Sequence, residues 1–279
     1  MDLTPLGFAL GLGSALAYGS GDFCGGLAAR RAAPYQVMAL SSIVNVTVLL
    51  AIVLGIERTP ISGAAIAWAA LSGLLGTVGL TALYTGLARG HTALIAPGSG
   101  VLSAAIPVVI TAVLGGLPAA AQLIGFVLAG IGIWLASSAG RAGLDREGLW
   151  LTLVAGVGFG LYFLTIPQAR EGGVVFLPLL VGRLVMLVIT LVILSRTGQS
   201  IPHPRQAPTA PLAGVLDMSG SVFYLISQQY LRVDVAAVLA SLYPAFTLLL
   251  TAVLLREGLS RRQWIGAAVC ILAAALIAV

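Results

Sequence analysis

The chain has 279 residues, of which 59% are hydrophobic and 8% charged. Soluble globular proteins carry about 25% charged residues, so there is too little charge here to cover a water-facing surface, and most of the chain's solvent must be lipid. The fourteen basic residues, all Arg, bring the formal net charge to +5, but they stand singly or in pairs at segment ends, which excludes the clustered basic patch of a nucleic-acid binder.

A helix crosses a bilayer with about 20 apolar residues, and the sequence reads as ten such spans. They are Leu6–Ala29, Tyr35–Ile56, Ala64–Ala88, Thr92–Leu114, Ala119–Ser138, Leu149–Ala169, Val174–Leu194, Pro211–Leu231, Val235–Leu255 and Ser260–Val279. These runs are continuously apolar, which excludes a membrane β-barrel, whose strands alternate apolar and polar over about 10 residues. The longest connection, "SRTGQSIPHPRQAPTA" (195–210), has no room for a soluble domain. The first span has no basic leader, since Asp2 is the only early charge, and it exceeds the roughly 7–15-residue core of a secretory signal. It is expected to stay in the protein.

Span one holds "AYGSGDFCGGLAARR" (17–31), which places Asp22 among small residues. Ionisable groups inside a bilayer cost about 2.5–3.5 kcal/mol on insertion scales and mark functional sites by default. Asp22 is therefore a candidate for substrate binding or proton carriage, as are Arg183 in span seven and Asp217 in span eight. If those three spans meet, Arg183 reaches either carboxylate; the bland alternative is a structural ion pair. Asn45 in span two is expected to hydrogen-bond between helices. Tyr18, Phe23, Tyr84, Phe159, Tyr162, Tyr224 and Tyr243 are candidate walls of an amphiphilic cavity. Small residues four apart, at Gly7/Gly11, Ser72/Gly76 and Gly156/Gly160, let helices approach closely. Cys24 and Cys270 lie in apolar segments and read as packing.

Spans four and nine contain "APGSG" (96–100) and "SLYPAF" (241–246). Pro97, Gly98, Ser99 and Gly100 in one, and Pro244 in the other, are expected to interrupt or kink their helices. Paired breaks in two halves point to a transporter's binding site and gates.

The halves are related in sequence. Thr111-Ala112-Val113-Leu114 aligns with Thr251-Ala252-Val253-Leu254, and Gln122 and Gly125 align with Gln263 and Gly266. The same alignment sets Asp22 near Phe163. Each half, 1–140 and 141–279, holds five spans, and an odd number inverts the second half relative to the first. The fold class is thus an all-α polytopic membrane protein with ten transmembrane helices in two inverted five-helix repeats. With the N-terminus outside, inner loops hold Arg30, Arg31, Arg89, Arg141, Arg146, Arg196, Arg205, Arg256, Arg261 and Arg262, and outer loops hold Arg58, Arg170 and Arg232. The excess of inner Arg puts both termini outside.

Ten spans, the inverted repeat and the pattern "AYGSGDFCGGLAARR" together resemble the EamA-type branch of the drug/metabolite transporter superfamily, over essentially the whole chain. That resemblance implies a multi-pass protein of a bacterial inner membrane that exports amino acids, other metabolites or drugs, or exchanges phosphorylated or nucleotide-linked solutes. It is often taken to imply cytoplasmic termini, from which the Arg count departs. The expected partners are a small-molecule substrate and the lipid bilayer, with protons as candidate coupling ion. An internal repeat lets a monomer or weak homo-oligomer supply both halves. No catalytic residue, cofactor or metal ligand is expected: the two histidines, His91 and His203, lie in loops or at span ends, and no P-loop, HExxH or GxSxG sequence occurs. A membrane-embedded enzyme and a non-transporting membrane subunit are the competing classes.

Overall fold

The computed structural model describes residues 4–57, 59–89, 92–137, 146–254 and 260–277. All regular structure among them is helical. The helices are α1 (Thr4–Ala29), α2 (Pro34–Gly55), α3 (Gly63–Ala88), α4 (Thr92–Gly115), α5 (Ala120–Ser137), α6 (Arg146–Thr165), α7 (Phe176–Arg196), α8 (Ala210–Ser227), α9 (Val233–Ala240), α10 (Tyr243–Leu254) and α11 (Arg261–Ile277). A 3-10 turn, Ile166–Ala169, continues α6.

Local chemistry sets several ends. Pro34 opens α2, where its missing N–H would have no helical partner, and the Gln36 side chain accepts from the Ala33 N–H at 3.0 Å. Ser62 caps α3 by accepting from the Ala65 N–H at 3.1 Å. Helix α7 stops at Gly198, whose φ of +65° suits glycine alone. The following Gln199 N–H returns to the Leu194 carbonyl at 2.9 Å, a Schellman closure.

Large apolar side chains cover the outside of the bundle, with Leu54, Val113, Val127, Trp134, Val188 and Leu212 all exposed. Such a surface is stable only in hydrocarbon, where backbone groups must be satisfied within each helix. The protein is membrane-embedded and multi-pass. Six segments among the described residues are long and apolar enough to cross: Pro34–Gly55, Gly63–Ala88, Arg146–Ala169, Phe176–Arg196, Ala210–Ser227 and Val233–Leu254. Gly98–Leu114 and Ala120–Leu135 are shorter apolar stretches. At 26 residues α1 is long enough, but its serines, glycines and Asp22 dilute its hydropathy, in keeping with a largely protein-packed helix.

The interior is sorted by helix pairs. Helix α1 runs along α8, α6 along α3, α2 along α7, and α5 along α11; α4 lies on α6, while α9 and α10 lie on α1. Close approach is made by glycine. A Cβ on Gly73 of α3 would fall 2.6 Å from the Cα of Gly182 in α7, and one on Gly158 of α6 would fall 2.8 Å from the backbone N of Gly79 in α3. Gly156 and Gly160 accept Leu102 and Ile106 of α4, also four residues apart.

Two elements differ from the sequence reading. Span nine is divided into α9 and α10 at Ser241–Leu242, and Pro244 sits in the first turn of α10, where a proline costs nothing. Span four is not divided: α4 runs through residues 97–100 as one helix. The expected interruption there is corrected to a contact surface. Gly98 makes room for the Thr152 side chain, and a Cβ on Gly100 would fall 2.9 Å from Pro244 Cγ. The Pro97 side chain lies outside the described residues. Asn45 is buried on α2 beside Gly214 of α8, but its Oδ1 accepts no hydrogen bond, so it packs between helices where bonding was expected.

Candidate functional site

The site begins with three glycines. A Cβ on Gly19 would fall 2.8 Å from Phe246 Cβ on α10, one on Gly21 would fall 3.2 Å from the Asp217 N on α8, and one on Gly220 would fall 2.8 Å from the Tyr18 ring. Helix α1 therefore lies between α8 and α10 at near-backbone contact, on either side of Asp22. Ser14 donates to the Gly220 carbonyl at 2.9 Å and Thr247 to the Gly19 carbonyl at 3.0 Å, fixing the crossing.

Arg183 is buried on α7. Its Nη2 stands 2.6 Å from Asp217 Oδ2 and donates to Ser221 Oγ at 2.9 Å. Asp217 and Ser221 are one turn apart on α8, so they share a face. The Ser221 hydroxyl also accepts from Tyr18 and Tyr162, each at 3.0 Å, and reaches the Asp217 carbonyl at 3.1 Å. Two charges, two phenols and one serine thus form a single network spanning α1, α6, α7 and α8. Burying a charge is tolerated when it is paired and hydrogen-bonded, and this network pairs both.

Beside it lies a cavity lined by Tyr18, Asp22, Leu80, Phe159, Phe163, Asp217 and Tyr243. It measures about 40 Å³, where one water takes roughly 10–15 Å³ on the same measure. The walls come from α1, α3, α6, α8 and α10, hence from both halves. Asp22 makes no hydrogen bond or ion pair among the described residues.

The sequence-derived residues therefore separate into three groups. Asp22, Asp217, Tyr18 and Tyr243 line the cavity. Arg183 and Tyr162 stand behind it and act on it through Asp217 and Ser221. Tyr84 is buried on α3, with its hydroxyl filling the space above Gly25 of α1, within electrostatic reach of Asp22. The segments around the proposed breaks meet one another: Tyr243 Oη and Ser99 Oγ are 3.0 Å apart, as are Ser241 Oγ and Ser103 Oγ. Phe159, also a candidate wall from the sequence, lines the cavity, whereas Phe23 and Tyr224 are not on its described wall; sequence reasoning missed Ser221 and Phe163. The alignment of Phe163 with Asp22 was the available signal for the last.

A family model for EamA-like transporters matches residues 146–279. The second half of the chain is thus similar to the EamA-like transporters. In this EamA-like half lie Arg183, Asp217, Ser221 and Tyr162, four of the five members of the network. A crystal structure of a protein 16% identical in sequence superposes with a TM-score of 0.73, over 98% of this chain and 96% of that one. At that identity the likeness is one of fold. No curated protein matches the sequence significantly.

Proposed function

We propose that the chain is a ten-span secondary-active transporter that exports small amphiphilic metabolites, such as amino acids, by alternating access. The observation that carries this reading is the cavity itself. Asp22, a carboxyl with no hydrogen-bond or ion-pair partner among the described residues, faces it together with the paired Asp217, and its walls come from both halves. An intramembrane ionisable group facing a cavity is the mark of a solute or ion path.

The helix pairing supports the inverted repeat of 1–140 and 141–279. Exchanging α1 with α6, α2 with α7, α3 with α8, α4 with α9 and α10, and α5 with α11 turns each close pair into another close pair. The α1–α8 pair becomes α6–α3, and the α4–α6 pair becomes α9 and α10 on α1. Such a two-fold arrangement suits rocking of one bundle against the other around a fixed site. In this reading both termini are outside a bacterial inner membrane, Asp22 serves substrate or proton, Arg183 positions Asp217, and the α9–α10 break with Ser99, Gly100 and Pro244 gates. Protons are the proposed coupling ion, and one chain suffices because it holds both halves.

The test is uptake into liposomes holding wild type or Asp22→Asn, with labelled amino acids and related metabolites, with and without a pH gradient. Transport by wild type and loss of its response to the gradient in Asp22→Asn is the expected result. No solute moving above the rate of empty liposomes sinks the reading.

A further inference from the structure

We infer that the cavity selects an organic monocation, an ammonium on an apolar body, against zwitterions and anions; the inference rests on the transporter reading and, within its small amphiphilic metabolites, puts amines in place of the amino acids named there.

The charges on the wall decide it. Two carboxylates line the cavity, and Arg183, the nearest cation, does not. The Nη2 of Arg183 is committed to Asp217 at 2.6 Å and to Ser221 at 2.9 Å. That pair is neutral in sum, which leaves Asp22 as the wall carboxyl that has no countercharge among the described residues and can pair with a bound ammonium. A substrate carboxylate would meet two carboxylates and, among the described residues, no cation on the wall. It would also displace nothing that Arg183 does not already bind.

The apolar wall has matching chemistry. Tyr18, Phe159, Phe163 and Tyr243 supply four rings, with Leu80 as the remaining apolar side chain. Phe159 and Tyr243 stand at 82° with centroids 6.4 Å apart, and Tyr18 and Phe163 at 60° and 6.1 Å. The rings meet as adjoining walls and not as stacks. Rings in that arrangement hold a cation by their quadrupoles without having to hydrogen-bond it, and they offer an anion nothing in return. The volume of about 40 Å³ holds an ammonium head and leaves a bulkier apolar body outside it. The carboxylate of an amino acid would add charge of the wrong sign beside Asp22.

Three probes share one aromatic body and differ in charge: phenethylamine, phenylalanine and phenylacetate. Binding to the purified full chain is measured by calorimetry, and counterflow is measured in liposomes. Phenethylamine is expected to bind, phenylalanine at least about 10-fold more weakly, and phenylacetate not at all, the preference that one uncompensated charge gives. Asp22→Asn, close in shape to wild type, is expected to lose amine binding. Phe159→Leu is expected to weaken it by up to roughly 30-fold, the worth of one desolvated ring on a cation. Phenylalanine or phenylacetate binding as tightly as the amine overturns the proposal, as does absence of amine binding or amine binding that is indifferent to Asp22→Asn. Amine binding without counterflow leaves the cation site standing and sinks transport. Counterflow of phenylalanine without amine binding does the reverse.

Discussion

Ser221 sets the chemistry at the residue scale. A hydroxyl oxygen has two lone pairs, yet Arg183, Tyr18 and Tyr162 all donate toward it. It is therefore a shared acceptor that holds the guanidinium on Asp217 while the phenols stay oriented. Ser221→Ala leaves these buried donors without that acceptor, at a cost of about 1–3 kcal/mol, read as a lower melting temperature in detergent. Arg183→Ala is expected to cost more, about 3–5 kcal/mol, because Asp217 then stays buried without a countercharge. Removing both charges as Arg183→Ala with Asp217→Ala should recover part of that loss. If the double variant melts below both singles, the pair is not what holds these helices. The charged members of the site were legible in the sequence because a charge in an apolar run has no other explanation. Ser221 was not, since a serine in a small-residue helix reads like Ser72, as filler. Phe163 was obscured for a related reason: rings in membrane helices mostly pack or face lipid.

Glycines settle the geometry of the helices. A Cβ on Gly73 meets the backbone of Gly182 at 2.6 Å, and backbone cannot rotate away. Gly26, on the other hand, would place a Cβ 3.7 Å from a Leu87 methyl, an ordinary contact. Gly73→Ala is expected to destabilise by about 1–3 kcal/mol through overpacking. Gly26→Ala should be neutral or gain up to about 1 kcal/mol of helix propensity. Thermal melting of the two variants side by side checks the contrast, and equal melting points would remove the close-contact account of the α3–α7 crossing. The helices themselves were legible from hydropathy to within a few residues at most ends. The breaks were legible only in part, because a proline marks a possible interruption and not a realised one. Pro244 falls in a first turn after a real break, while Pro97 lies in the second turn of a helix that continues. Sequence cannot tell these apart without knowing that Gly98 and Gly100 are spent on neighbours.

At the scale of the whole molecule, the connecting segments at one end of the bundle add ties between the halves to those around the cavity. Glu57, after α2, accepts from the Val175 and Leu177 N–H groups at the start of α7, both at 2.7 Å, where a helix start favours an anion. Glu171, before α7, accepts from the Ser62 N–H at 2.8 Å and from its hydroxyl at 2.6 Å. Arg232 reaches the Gly116 carbonyl at 3.4 Å. Elsewhere the halves are joined by Arg89 with Glu147, both largely exposed, and by Gln36 donating to the Ser200 carbonyl at 2.8 Å. Exposed ion pairs contribute little. If the halves rock, the Glu57 and Glu171 ties must open for the cavity to face that end. The hydrogen bonds from Ser62 stabilise the charged form of Glu171 and hold its carboxyl below the usual carboxylate range. The sign follows: the tie is fully present above the ordinary carboxylate pKa of about 4.3 and is lost as pH falls through the depressed value. Spin labels at Ile61 and Gly172 should therefore report a longer distance in acid than at neutral pH. Glu171→Gln keeps one accepting oxygen and has no charge to titrate, so its labels should stand near the wild type's acid distance at neutral pH and respond less to acid. A variant that keeps both the neutral distance and the full acid response would mean that Glu171 does not latch the halves, and the closing force at this end would have to come from Glu57 and the start of α7.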